Sequence, residues 1–299
     1  MRHVPLSVLV MAVLALFVTA CSKQEPATPT TAVAPAESAT PAAPVASVES
    51  APQAAPVGVD LSAETTTYKA WVEGQIDGLL TETQRFVDAL KAGKLNEAKK
   101  LYAPARMYFE RSEPIAESFG DLDPRIDNRE ADLEKDEKWT GFHPIEKILW
   151  TKNSTKGTTE LADQLINDIK ELRAKIPTAD VTGELMVQGA VDLLNEVSTT
   201  KITGEEEIFS RTDLYDFKAN IEGAEKIFEI FTPKLQAKNP ALVTELSGKF
   251  QAVNDLLGTH KVADGYKSYT KLTRDDTKAL AEAVNKLGEP LAQMGVVLQ

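Results

Sequence analysis

The segment Trp139-Thr140-Gly141-Phe142-His143-Pro144-Ile145-Glu146 holds one of only three histidines in the 299-residue chain. Its spacing predicts a helix start: Thr140 can cap, Pro144 suits a first turn where its missing N–H costs nothing, and Ile145 to Trp150 continues apolar. His143 and Glu146 are three residues apart, so on that helix both side chains leave one face. An imidazole and a carboxylate converging there can both ligate a divalent or trivalent metal. A histidine near a helix terminus can equally be structural, so the pair gains weight only from other groups aimed at it.

Carboxylates are abundant nearby. Glu110, Glu113 and Glu117 share one predicted helix face, where like charges are unfavourable unless solvated, salt-bridged or neutralised by a cation. Arg106 and Arg111 could pair with them, while Met107, Tyr108, Ile115 and Phe119 set apolar neighbours around the patch. Asp121, Asp123, Asp127, Glu130, Asp132 and Glu134 read mostly as a solvated charged stretch. Glu205 to Glu207 follow a glycine and could also be a helix N-terminus favoured by the dipole. His260 is expected in surface structure at a helix end. The chain has no His-Glu-x-x-His, no Gly-x-Ser-x-Gly and no glycine-rich phosphate loop.

The elements that must position these groups are helices. Runs rich in Ala, Leu, Glu, Lys and Gln carry apolar residues at three- and four-residue spacing, and alternating strand patterns are scarce. The pattern predicts helices over 62–92, 95–119 (with breaks or kinks at Pro104 and Pro114), 143–150, 160–176, 181–199, 213–238, 239–257 and 275–298. Gly120 to Pro124 reads as a turn. Roughly seven or eight helices with short connections imply an all-α fold of packed antiparallel bundles, two of them, split near residue 155.

The N-terminal region has a different character. Met1-Arg2-His3 is basic, and Pro5 to Thr19 is apolar but too short for a comfortable span. Val18-Thr19-Ala20-Cys21 has the form of a bacterial lipobox, predicting a signal peptide over 1–20 and lipidation of Cys21, the sole cysteine. Ser22 after that cysteine favours outer-membrane sorting. Residues 21–60 are Ala- and Pro-rich, a composition that buries no core and predicts a tether reaching on the order of 100 Å when extended. The folded part is then 61–299. A net charge of −12 argues against a nucleic-acid partner and suits cation capture, or simply solubility.

Gly141-Phe142-His143-Pro144-Ile145-Glu146 resembles the Gly-x-His-x-x-Glu signature of the imelysin-like family. Leu101-Tyr102-Ala103-Pro104-Ala105-Arg106, Glu113-Pro114-Ile115-Ala116-Glu117, Lys201-Ile202-Thr203-Gly204-Glu205-Glu206 and Thr212-Asp213-Leu214-Tyr215-Asp216-Phe217 resemble its EfeO-type members. The resemblance covers essentially residues 65–298. It implies a pair of four-helix bundles and a non-enzymatic metal-binding role: periplasmic capture of iron, Fe(II) or Fe(III), for an inner-membrane permease working with a haem-peroxidase-like protein in an EfeUOB-type system. Zinc or copper could substitute in vitro.

Carried over residue by residue, the implied metal ligands are His143, Glu146, Glu110, Glu113, Asp127 and Glu206, with Glu205 competing for the last place. The cupredoxin domain of many EfeO proteins has no counterpart; the Ala/Pro-rich stretch stands in its place, as in the shorter EfeM-like form. Two other activities go with the resemblance. One is a metallopeptidase with Glu113 or Glu117 as base. The other is binding of acidic polysaccharide through a bridging cation.

Overall fold

The computed structural model describes residues 59–263 and 265–299, so the expected signal segment, Cys21 and almost all of the tether lie outside the described residues. Apolar side chains at helical spacing determine where the helices form and which faces they bury. In α1 (Ser62–Lys91), Val72, Ile76, Leu79, Phe86, Val87 and Leu90 form one buried stripe. A left-handed Gly93 ends it, and Lys94 N–H turns back to the Ala89 carbonyl at 2.9 Å.

Helix α2 (Leu95–Glu110) runs through Pro104 without a break. Pro104 is exposed, so the carbonyl it leaves without a donor can face water. The break comes later: Glu113–Phe119 is a tight 3-10 segment kinked at Ile115. Residues 120–124 are not only a turn, because α3 (Leu122–Asp127) already begins there with Pro124 in its first turn. Next come α4 (Phe142–Thr151), α5 (Thr159–Lys175), α6 (Gly183–Thr199), α7 (Asp213–Lys238), α8 (Pro240–Gly258) and α9 (Arg274–Leu298). Side chains fasten the later starts. Thr182 caps α6, Asn239 caps α8, and Thr273 with Asp276 forms a capping box on α9.

The architecture is all-α. The strands among the described residues are the two-residue β1 (Lys261–Val262) and β2 (Gly265–Tyr266), paired antiparallel as a small hairpin. His260, expected at the surface, is buried just before it, and its backbone carbonyl accepts from Lys267 N–H at 3.1 Å. The hairpin, which carries no alternating pattern long enough to read in the sequence, comes directly after this end of α8.

Helix α1 packs on α2 and α5, and α4 on α2 and α5; α6 packs on α9 and α7, and α8 on α9 and α7. A division near residue 155 would separate α5 from α1. We propose instead that the two sets of helices meet at the 176–182 connection. Helix α7 crosses that seam and packs on α2.

The 3-10 segment enters the seam because α6 and α7 make room for it. A Cβ on Gly189 would lie 1.7 Å from the Pro114 carbonyl oxygen, and one on Gly223 would lie 2.4 Å from that of Arg111. Gly189→Ala is therefore expected to lose about 1–3 kcal/mol through overpacking and to melt several degrees lower. Gly248→Ala, with nothing near its added methyl, should hold or gain stability. Thermal melts followed by circular dichroism compare the two; equal melting temperatures would show that the α6–Pro114 contact is not tight.

Candidate metal centre

Gly141 places the histidine. Its φ of +90° and ψ of −157° suit only glycine, and a Cβ there would meet the Ile126 carbonyl oxygen at 2.1 Å. The chain thus turns hard against the end of α3 before α4 begins. Thr140 does not cap α4 as expected: its hydroxyl donates to the Arg125 carbonyl at 2.8 Å, tying the same two segments together. Phe142, Ile145 and Leu149 anchor α4 in the core, and His143 and Glu146 are carried inward beside them. Their side chains meet, with Nδ1 of His143 3.3 Å from Glu146.

Five further segments converge on this pair. Helix α2 brings Arg106 and Glu110, the 3-10 segment Glu113, and the end of α3 Asp127; the loop after α6 brings Lys201, Glu206 and Glu207. Helix α7 adds Asp213, Asp216 and Asn220. All six expected ligands are therefore in one region, and Glu205 is at its outer edge, paired with Arg129 at 2.9 Å. Three sets of ligand atoms lie within 4.8 Å of one another: Asp127, His143 and Glu206; His143, Glu146 and Glu207; Glu110, Glu113 and Asp127. Oxygen with a single imidazole is a hard donor set, suited to iron, manganese or magnesium more than to thiophilic metals.

Arg106 lies at the middle, fully buried. Its guanidinium bonds Glu110 and Asp127 and lies 3.5 Å from Glu206 and 3.4 Å from Asp216. Nε approaches Glu207 at 2.5 Å, but off line, so the contact is an ion pair rather than a hydrogen bond. The ring of Phe142 stacks 5.5 Å from the guanidinium. Lys201 faces Glu113 at 2.9 Å and Glu110 at 3.2 Å. Eight carboxylates (those of Glu110, Glu113, Asp127, Glu146, Glu206, Glu207, Asp213 and Asp216) thus share two inner fixed cations and one imidazole.

That excess of negative charge shapes the titration. Burial, with Glu146 alongside, pushes Glu207 well above the ordinary range; burial pushes Asp216 up despite Arg106, with Glu110 adding to it. Burial and Glu110 also raise Glu113, and burial raises Glu206 against the pull of Lys201. Asp127 goes the other way: burial opposes its charge, yet Arg106 and His143 hold it well below the carboxylate range. Burial and Arg106 both work against a charged His143, but the carboxylates of Asp127 and Glu146 outweigh them and lift it to about 9. At 3.5 Å and off line, the Nε2–Asp127 approach is an ion contact, so Nε2 has no hydrogen-bond partner among the described residues.

Glu146 is held from outside as well. One oxygen accepts from the backbone N–H of Phe209 at 3.0 Å and of Ser210 at 2.6 Å, binding α4 to the loop before α7. Glu207 accepts from Tyr102 at 3.2 Å and from Ser210 at 2.8 Å. Two openings reach the centre. A cleft of about 370 Å³ leads in past Asp123, Glu196 and Lys201 to Glu113, Asp127 and Glu206. A smaller one of about 150 Å³ reaches His143, Glu146 and Glu206. Arg129 and Asp132 line both, so the Arg129–Glu206 pair at 3.3 Å separates them.

Sequence reasoning missed Glu207, Asp213, Asp216 and Asn220, and took Arg106 as a surface partner for an acidic helix face. A signal existed for part of this. Asp213, Asp216 and Asn220 recur at three- and four-residue spacing beside the apolar stripe of α7, and Arg106 lies one helical turn before Glu110. Glu117, placed on the same face as Glu110 and Glu113, is exposed on the cleft wall because the 3-10 segment has a different pitch.

An all-helical protein with a buried, carboxylate-rich polar centre at the seam of its helices is the class that fold and site define. The chain belongs to the imelysin family, whose model, described as Peptidase_M75: Imelysin, matches residues 64–294. It is similar to an "Efem/EfeO family lipoprotein" of Staphylococcus haemolyticus, 54% identical over 243 residues, covering 80% of this chain and 85% of that protein. A protein of the same name from Staphylococcus aureus strain MSSA476 is 49% identical over 245 residues, covering 80% and 86%.

The charge balance makes the metal-free protein sensitive to pH. His143 favours its charged form up to about 9 against an ordinary 6.5, so its contribution is complete below 6.5 and is lost as pH rises through 9. Asp123, lifted to about 7 by burial and by Asp127, acts in the same sense, its contribution disappearing as pH climbs from 3.8 through 7. Melting temperature should therefore fall steadily between about pH 6 and about pH 9; a flat or rising profile would contradict this charge balance. Arg106→Met, which leaves buried carboxylates without their cation, should lose about 3–5 kcal/mol at neutral pH and recover part of it on mild acidification. Denaturant melts at two pH values measure that difference.

Proposed function

We propose that this protein is a lipid-anchored iron-binding protein that captures the ion outside the cytoplasm and hands it to a membrane permease. The supporting observation is that His143 belongs to two overlapping groups, one with Asp127 and Glu206 and one with Glu146 and Glu207, each with its ligand atoms within 4.8 Å of one another, at the inner end of clefts open to solvent. Iron is the cargo, and the part this chain plays is a general role in iron uptake. The relatives named as Efem/EfeO family lipoproteins support that role and the lipid anchor, for which Cys21 is our candidate. No helix among the described residues is long and apolar enough to cross a membrane.

We place the folded part in the periplasm, with outer-membrane attachment favoured by Ser22, and propose the permease and a haem-peroxidase-like protein as its partners. The proposed ligands are His143, Glu146, Glu110, Glu113, Asp127 and Glu206, with Glu207 added. Buried oxygens whose charge is disfavoured fit capture and release: burial raises Glu113, Glu206 and Glu207, so an entering multivalent ion would favour their ionised form and proton binding would favour exit.

The family description also names a peptidase, and a hydrolytic reading needs a base beside the metal. Of the two candidates, Glu113 is held by Lys201 and by Asn220 at 2.5 Å, and Glu117 is exposed on the cleft wall. Both observations favour carriage over hydrolysis.

Calorimetric titration with Fe(II) under anaerobic conditions tests the assignment. The wild-type protein is expected to bind tightly and His143→Ala/Glu146→Ala to lose at least a hundredfold in affinity, in line with removing two ligands. Unchanged binding in the double variant would sink the site. Casein cleavage that disappears with His143→Ala would instead support the peptidase.

A further inference from the structure

Lys201 occupies a place that a cation would take. It opens the one-turn 3-10 segment Lys201–Thr203 between α6 and the glutamate run, and only 3% of its side chain is exposed. Its Nζ lies 2.9 and 3.0 Å from the two oxygens of Glu113, 3.2 Å from Glu110 and 3.8 Å from Glu206. Asn220 donates to the same corner, at 3.0 Å to Glu110 and 2.5 Å to Glu113. Glu110 and Glu113 belong, with Asp127, to one of the three convergent ligand groups. The corner is therefore already filled by an ammonium, whereas on the other side Nε2 of His143 is unpartnered among the described residues.

Arg106 could not vacate its position, because its fork is engaged on several segments and fully enclosed. Lys201 could. An ammonium is a compact charge on a flexible stem, and this one lines the larger cleft together with Glu196, an exposed carboxylate near the end of α6.

Resting on the iron-binding reading above, we propose that Lys201 is a tethered competitor for the cargo: its ammonium fills the Glu110–Glu113 corner when the protein is empty, and an entering multivalent cation displaces it along the cleft towards Glu196. The exchange sets selectivity by charge. A monovalent ion replaces one positive charge with another and gains nothing, whereas a divalent or trivalent ion adds one or two charges to a corner rich in carboxylates. It also assists release, since the returning ammonium supplies a counter-charge as the ion leaves.

The test is calorimetry and thermal melting with Mn(II), a redox-stable probe, and Fe(II) under anaerobic conditions. Lys201→Met should bind either ion roughly tenfold tighter, because no internal cation competes. The metal-free variant should melt lower than wild type, and the rise in melting temperature on adding metal should be larger. A residue with only a packing role would lower stability and affinity together. Glu196→Gln, an exposed change that leaves the core untouched, should weaken binding about two- to fivefold in the wild-type background and have no effect in the Lys201→Met background. A general field effect would persist in both.

If Lys201→Met is folded and binds no tighter, the competitor role is overturned while the site stands, provided His143→Ala/Glu146→Ala still abolishes binding. Should Lys201→Met not fold, the Glu196→Gln series decides, together with Lys201→Arg, whose stronger carboxylate pairing should weaken metal binding. Absence of Mn(II) and Fe(II) binding in both wild type and Lys201→Met would overturn the iron-binding reading and this inference with it.

Discussion

The contact on which the centre depends is that of Arg106 with the carboxylates around it. Burying a guanidinium is unfavourable by itself, and burying several carboxylates within a few ångströms is worse; together they persist only because each is the other's solvent. The arrangement binds α2 to α3, to the loop after α6 and to α7, so the polar centre and the helix packing are one problem. The apolar stripes decide that helices form. How far the centre can close is decided by charge, since its carboxylates outnumber its fixed cations.

Much of this was legible in the sequence. Helix periodicity gave α1, α5, α7 and α9 almost to the residue, since long apolar stripes average over local irregularities. His143 and Glu146 were visible because both candidate ligands lie within one helical turn. Glu207 was not, because three consecutive glutamates carry no period, and which one points inward depends on the left-handed turn at Gly204 (φ 78°). Arg106 read as a partner for an exposed acidic face, and no local rule predicts that a lysine between a helix and a glycine, as Lys201 is, will be engulfed. The turn expected at 120–124 and the helix found at 122–127 differ because Asp-Pro opens either one.

The loop from residue 200 to residue 212 has a composite role. It supplies Glu206 and Glu207, it bears Lys201, and its Phe209 and Ser210 amides hold Glu146 on α4. Candidate ligands, proposed competitor and support therefore belong to a dozen consecutive residues, without a single long helix among them. Loops tolerate changes of sequence and conformation that helices do not, so this segment is where relatives with the same bundle could alter affinity without redesigning the fold.

The seam itself has one more implication. The groups that face the centre come from α2, α3 and α4 on one side and from the later loop and α7 on the other, so a single ion held by Asp127, His143 and Glu206, or by His143, Glu146 and Glu207, would join residues up to 79 or 64 positions apart (206 − 127 and 207 − 143). That is the work of a crosslink, in a chain whose single cysteine leaves it without an internal disulfide. Unlike a disulfide it would need no oxidant to close and no reductant to open. The resistance of the folded chain to unfolding and proteolysis would then rise and fall with the supply of the ion it carries.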